Sequence, residues 1–353
     1  MRIVDLRSDT VTLPTEEMLD AIRRAPLGDD VYGEDPTVRL LEEKAASALG
    51  MAAACLMPSG TMANLATLTA HAPRGSRVLT GRESDIYVYE AHGVSVCSGV
   101  ALEPVPTDVD GRLSIEALEQ ALPEDPGDPQ FSVPAVVCVE NTANRAGGIP
   151  LGPAEVAEVA AFATRNGLAV HLDGARVFNA AVALNTTAAR IAEHVDSAQF
   201  CLSKGLSAPV GSVVTGSVEL IGTVRRVRKM LGGGMRQAGV IAAAGIVALD
   251  TMVERLAEDH ENARLLAVEL AAVPGIEVDP ASVRTNMVRF RVSAAGLSHE
   301  ALIGLAEQRG VRFGELGRGR LRAVTHRGVT ADEVTHAARV IAGIVATEGR
   351  RTS

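Results

Sequence analysis

The chain has 353 residues, 47% hydrophobic and 22% charged, a composition that excludes disordered and fibrous classes and at ~150 residues per domain allows two domains. Acidic residues outnumber basic ones 43 to 34, for a net charge of −9, so no general attraction to nucleic acid or anionic membrane is expected. Trp is absent and only Tyr32, Tyr87 and Tyr89 occur, which argues against a stacking platform for single strands.

The opening MRIVDLRSDTVT carries Arg2, Asp5 and Arg7 and lacks an apolar core, so it does not read as a signal peptide. The longest apolar stretch, 239–249, is too short to span a bilayer, and a cytoplasmic protein is expected. A helix is expected after Thr15. The next, over 36–49, has Asp35 as its N-cap and Pro at its first position. Apolar runs at 77–80, 136–140, 168–173, 198–203 and 212–215 read as buried strands. A helix over 153–165 stops before Gly167, which suits a left-handed cap. The basic cluster Arg225, Arg226, Arg228 and Lys229 reads as a solvated helix face, and long helices fill 239–272 with a break near Glu258. After about residue 255 the pattern changes to short strands at 276–278, 286–292, 311–314 and 320–324, with helices over 299–308 and 330–347. The second of these helices opens on a capping box, Thr330-Ala-Asp-Glu333.

This order implies an α/β domain with a large, mixed, mostly parallel sheet over 26–254, and a smaller α+β domain over 255–353. Residues 1–25 are expected to pack with the smaller one. Cys55, Cys97, Cys138 and Cys201 are widely spaced, so buried reduced thiols are expected rather than a zinc site or disulfides.

Two strand ends carry chemistry. The run Val170-His-Leu-Asp-Gly-Ala-Arg176 puts Asp173 at the carboxyl edge of a parallel sheet, where ligands sit in open α/β folds, although the residue could instead cap the next helix. Lys204, in Phe200-Cys-Leu-Ser-Lys-Gly205, ends another apolar run; desolvation there favours a neutral, nucleophilic amine. The chain has only two other lysines, Lys44 and Lys229. A lysine and a carboxylate in this relation match the needs of pyridoxal phosphate, whose aldehyde takes an amine and whose ring nitrogen takes an acid. The run Leu56-Met-Pro-Ser-Gly-Thr-Met-Ala-Asn-Leu65 supplies the third requirement, a helix N-terminus for the phosphate.

These motifs resemble the threonine aldolase branch of the β-eliminating lyase family, pyridoxal-phosphate enzymes of the aspartate aminotransferase fold (fold type I). The likeness runs through Asp5-Leu-Arg-Ser-Asp-Thr-Val-Thr12, Gly28-Asp-Asp-Val-Tyr-Gly33, the Ser-Gly-Thr turn, His171-Leu-Asp-Gly-Ala-Arg176, Leu202-Ser-Lys-Gly205, Gly232-Gly-Gly-Met-Arg-Gln237 and Arg322-Ala-Val-Thr-His326, in family order.

The resemblance implies a lyase that cleaves the Cα–Cβ bond of a β-hydroxy-α-amino acid such as threonine, giving glycine and an aldehyde. By the same resemblance Lys204 carries the cofactor, Asp173 meets its ring nitrogen, and Ser59, Gly60 and Thr61 hold its phosphate. Arg236 would reach that phosphate from a neighbouring subunit of a homodimer or homotetramer, and Tyr32 would line the site from the partner chain. Ser8, Arg176 and Arg322 would hold the substrate carboxylate, as an arginine can with two parallel hydrogen bonds.

Two positions depart from the pattern. Asp85 stands where the family usually has a histidine over the cofactor ring, and Ala143 replaces a second histidine near the substrate side chain. His92 stands where the family tends to have glycine and is a candidate to compensate. A carboxylate cannot stack as an imidazole does, and Ala143 is expected to free space for a bulkier or cationic β-substituent. Elimination, transamination of a specialised amino acid, and a non-catalytic cofactor-binding homologue remain as alternatives.

Overall fold

The computed structural model describes residues 3–348, so residues 1–2 and 349–353 of the expected smaller domain lie outside the described chain. Among the described residues thirteen strands are present: β1 Val4–Asp5, β2 Ala53–Met57, β3 Arg77–Gly81, β4 Ala101–Val105, β5 Pro134–Glu140, β6 Ala169–Asp173, β7 Ser197–Cys201, β8 Ser212–Gly216, β9 Ile276–Glu277, β10 Met287–Val292, β11 Val311–Arg312, β12 Gly314–Glu315 and β13 Leu321–Val324. Seven form one sheet in the order β2-β8-β7-β6-β5-β3-β4, in which only β8 runs against the others. Strands β5 to β8 are buried almost throughout, as strands covered by helices on both faces must be. Edge strand β4 escapes a reading based on apolar runs because it carries Glu103 and Pro104 and is only partly buried.

Local signals set the helices of this unit. In α1, Glu16–Arg24, the Thr15 hydroxyl accepts from the Met18 amide at 3.2 Å. In α2, Pro36–Leu49, the Asp35 carboxylate accepts from the Thr37 and Val38 amides, both at 3.0 Å. The break expected near Glu258 comes earlier, between helices Gly239–Thr251 and Leu256–Ala271, where Arg255 swings back to bind Asp259 at 2.5 and 3.0 Å. The basic cluster divides: Arg226 and Lys229 are exposed, as a solvated face would be, but Arg225 and Arg228 turn inward. Arg228 is buried on Asp30 at 2.8 Å and donates to the Leu56 carbonyl at 2.8 Å, and Arg225 pairs with Glu42 while donating to the Ala54 carbonyl at 3.0 Å, so both tie their helix to β2. Cys97 departs from the expectation of buried thiols, since it is exposed near the end of a surface turn of helix.

A second core lies under an antiparallel sheet of order β12-β13-β10-β9, with helices Leu256–Ala271, His299–Gln308 and Ala331–Glu348 against it. The Thr330 capping box forms: the Thr330 amide reaches Glu333 at 2.9 Å, and the Glu333 amide reaches the Thr330 hydroxyl at 3.3 Å. The strand expected over 311–314 is two strands, because buried Phe313 turns the chain from β1, the partner of β11, to β13, the partner of β12. The first 25 residues divide. Val4 and Leu6 join the second core, but α1 lies on the Gly239–Thr251 helix and sends Met18 into the first core, because its apolar side faces that helix.

Candidate active site

The carboxyl ends of β2, β3, β5, β6 and β7 meet at one edge of the large sheet, and a cavity of about 350 Å³ opens there. Its wall includes Ser59, Gly60, Thr61, Asp85, Asp173 and Lys204. Helix α3, Gly60–His71, begins at the end of β2 with Ser59 as N-cap, so its first amides border the cavity. A side chain at position 60 would stand 2.9 Å from the Cys201 sulfur, which is why the turn needs glycine. Lys204 follows β7, and no hydrogen bond engages its Nζ among the described residues. Its carbonyl accepts from the Thr12 hydroxyl at 2.9 Å, which ties the opening motif to the lysine turn.

Asp173 is buried at the base. Its Oδ1 accepts from Gln199 at 2.5 Å and from the Ala175 amide at 3.2 Å, and its Oδ2 from Asn64 at 3.0 Å. Burial pushes this carboxyl upward while Lys204 and the donors pull against it. Behind it lies an ordered line of polar groups: Asn64 Oδ1 to His171 Nε2 at 3.0 Å, His171 Nδ1 to Ser197 Oγ at 2.9 Å, and Ser197 Oγ to His71 Nε2 at 2.9 Å. His171 is therefore part of the support for Asp173. Burial lowers its pKa to about 3 and keeps it neutral. The Asn64 amide also donates to Glu90 at 2.9 Å, and burial together with Asp173 raises the Glu90 carboxyl to about 8.

The opening motif supplies a group to which the sequence alone assigns no role. Asp9 is fully buried and takes the Arg176 fork through both oxygens, at 2.7 Å from Nε and 2.7 Å from Nη2. Although burial alone would raise Asp9, Arg176 holds its carboxyl far below the usual range. The paired edge of Arg176 is thus engaged within the chain, leaving Nη1 for a further acceptor. Ser8 caps the next turn, its hydroxyl accepting from the Thr10 amide at 3.3 Å.

Arg322, on β13, donates to the Asn144 side-chain oxygen and, at 3.1 Å, to the Arg7 carbonyl. Its buried Nε has no partner. The Asn144 amide nitrogen in turn donates to Asp85 Oδ1 at 2.9 Å, so Asn144 bridges the arginine and the carboxylate. Glu140 pins this corner by accepting from the Asp85 amide at 3.1 Å and the Asn144 amide at 2.9 Å.

Seven sequence candidates are absent from the cavity wall: Ser8, Arg176 and Arg322, just described, and Tyr32, Arg236, His92 and Ala143. Tyr32, 73% exposed, lies under the Arg236 guanidinium at 5.6 Å, and Arg236 also pairs with Asp29 at 3.0 Å. His92 does not join the site: its backbone is left-handed at φ 53°, and its exposed ring packs edge-on against Tyr87 at 5.3 Å. Ala143 does not face the cofactor-side cavity either. It lies against Gly111, where an added Cβ would come within 2.4 Å of the Ala143 methyl, and it lines a neighbouring cavity between the two sheets.

The free lysine amine, the buried carboxylate with acceptor capacity left on Oδ2, and the open helix N-terminus match the three functional ends of pyridoxal phosphate. With the mixed sheet and the second unit, they define an α/β enzyme of fold type I that uses this cofactor. The β-eliminating lyase family model matches residues 5–293, and the chain belongs to that family. It is 43% identical over 336 residues to low-specificity L-threonine aldolase 1 of Arabidopsis thaliana, covering 95% of this chain and 94% of the relative. It is 39% identical over 345 residues to the low specificity L-threonine aldolase of Escherichia coli K12, covering 95% and 97%. The threonine aldolase structure of Leishmania major superposes with a TM-score of 0.81 at 20% identity, over 97% of this chain and 99% of that one. Among the described residues, no helix is long and apolar enough to cross a membrane.

Proposed function

We propose that the chain cleaves a β-hydroxy-α-amino acid of the threonine type to glycine and an aldehyde. The convergence of Lys204, Asp173 and the α3 N-terminus on one cavity, in a chain so similar to proteins named threonine aldolases, carries this reading. Pyridoxal phosphate, when bound, supplies the sink for the electron pair released at Cα.

Lys204 would hold the cofactor aldehyde, Asp173 would pair with its ring nitrogen, and Ser59, Gly60 and Thr61 would hold its phosphate. The substrate carboxylate is taken by Arg322 through its unpartnered Nε and by Arg176 through Nη1, with Ser8 beside them. Asp85 Oδ2 has no partner among the described residues and lines the cavity, so it is the acceptor for the β-hydroxyl proton. Asn144 keeps the other Asp85 oxygen occupied and orients that group.

Arg236 and Tyr32 are exposed together outside their own chain's cavity, which supports a homo-oligomer in which they complete a neighbour's site. Mixing Lys204→Ala with Tyr32→Ala protein and allowing subunit exchange should restore part of the activity; no recovery after proven exchange means self-contained sites.

The reaction itself is tested by supplying threonine and β-phenylserine with added cofactor and measuring glycine and aldehyde against ammonia and oxoacid. Equal amounts of glycine and aldehyde are expected. Ammonia and oxoacid without glycine would mean elimination or transamination instead.

A further inference from the structure

The second cavity, about 770 Å³, lies between the large sheet and the antiparallel sheet, and it is the larger of the two. Strand β10 turns Val288 and Phe290 into the second core, so the alternate residues Arg289 and Arg291 face the large unit; on β13, Leu321 and Ala323 face the core and Arg322 faces out. Arg289 and Arg322 are directly opposed in register. Two like charges facing each other across a strand pair are unfavourable unless anions lie nearby.

Four of the five acids lining this cavity are engaged; the fifth, exposed Glu277 on β9, stands in register opposite Arg291. Glu83 is shared by Arg145 at 2.7 Å and Arg320 at 2.9 Å through one oxygen. Asp108 accepts from the Asp110 and Arg112 amides, Asp279 from the Ala281 amide, and Glu140 from two amides. Half-buried Arg289 has neither an ion pair nor a side-chain hydrogen bond among the described residues, and Arg320, Asp110 and Arg291 are its charged neighbours. One carboxylate thus serves two arginines, and a third has none.

The two cavities also share a wall. Ser84 and Ala143 line this one while their chain neighbours Asp85 and Asn144 form the corner of the other. Tyr89 lines the cofactor-side cavity, and its hydroxyl accepts from Arg145 at 2.6 Å.

We infer that the inter-sheet cavity is the distal subsite of the active site, and that it takes a β-substituent ending in a carboxylate or a similar anion, with Arg289 as the pairing group. This rests on the aldolase reading above and extends it to substrate class. It keeps the expectation of a bulkier substituent and departs from that of a cationic one, because half-buried Arg289 is the wall cation left without an ion pair among the described residues.

The test compares an acid with its uncharged amide. In holoenzyme, β-(4-carboxyphenyl)serine should be cleaved with a kcat/KM about tenfold or more above that of its 4-carbamoyl analogue, a preference that Arg289→Gln erases and Arg289→Lys largely keeps. Calorimetric titration with 4-(hydroxymethyl)benzoate and 4-(hydroxymethyl)benzamide should show the same order of affinity without turnover. Equal treatment of acid and amide by the wild type overturns the subsite, and so does a preference that survives in folded Arg289→Gln. The wild-type comparison requires no variant, so it decides the subsite even where a mutant misfolds. If no β-hydroxy amino acid releases glycine, the aldolase reading fails, and the titration alone then decides the subsite.

Discussion

The two cavities are built on opposite terms. On the cofactor side, strand ends of one sheet bring together groups that are nearly all partnered: Asp173 has three donors, and Arg176 and Asp9 hold each other through two bonds. Between the sheets, side chains from two units face each other and charge is left over, with Glu83 serving two arginines and Arg289 none. The first is fixed in place before anything binds. The second is arranged so that a ligand's charge completes it.

Four experiments put that contrast at risk. The largest effect concerns Lys204. Borohydride reduction with the cofactor should label the wild type at Lys204 alone, Lys204→Ala should abolish the labelling, and Lys44→Ala and Lys229→Ala should leave it intact; peptide mapping reads the site. Next comes the buried pair. Asp9→Ala leaves Arg176 without its counter-charge and should cost about 3–5 kcal/mol in denaturant unfolding. A loss below about 1 kcal/mol would show that the cofactor-side pocket is less rigidly partnered than described.

Glu90 comes third and is read against pH. Its carboxyl is raised in the fold from 4.5 to about 8, so the folded chain holds a proton that the unfolded chain releases. The associated stability is complete below about pH 4.5 and declines as pH rises through 8. Glu90→Gln should therefore flatten the fall in melting temperature between about pH 5 and pH 9, by on the order of 1–3 kcal/mol of stability. An unchanged slope would remove Glu90 as its source. The smallest effect belongs to the inter-sheet cavity: Glu83→Ala breaks two partly exposed pairs and should cost under about 1 kcal/mol. A cost matching that of Asp9→Ala would erase the distinction between the two regions.

The same contrast explains what could be read from the chain. Pro36 after Asp35, the Ser-Gly-Thr turn and the Ser-Lys-Gly turn are local signals, and each leads directly to an element or a cavity wall. Gln199 and Asp173 meet as register partners on β7 and β6, a relation that only strand pairing creates. Asp9 lies in a motif visible in the sequence, yet its grip on Arg176 joins residues 167 positions apart. Arg289 was hidden further still. On its own strand it is one of two arginines alternating with apolar residues, and only the register with β13 and the facing Glu83 group give it a site. His92 misled for the opposite reason: a histidine near Asp85 in sequence is turned outward by a left-handed residue at the start of a helix.

The line from His71 to Asp173 has a direction. The Asn64 amide nitrogen must donate to Asp173 and Glu90, so its oxygen must accept, and neutral His171 must carry its hydrogen on Nε2. Nδ1 of His171 then accepts from the Ser197 hydroxyl, whose oxygen accepts from Nε2 of His71. Every hydrogen in the series points toward the same carboxylate, so four dipoles add head to tail and polarise one another. Negative charge at Asp173 is thereby spread electrically over a path reaching half-buried His71, well behind the cofactor pocket. Ser197→Ala would cut that path at its midpoint while leaving every residue that borders the cavity in place.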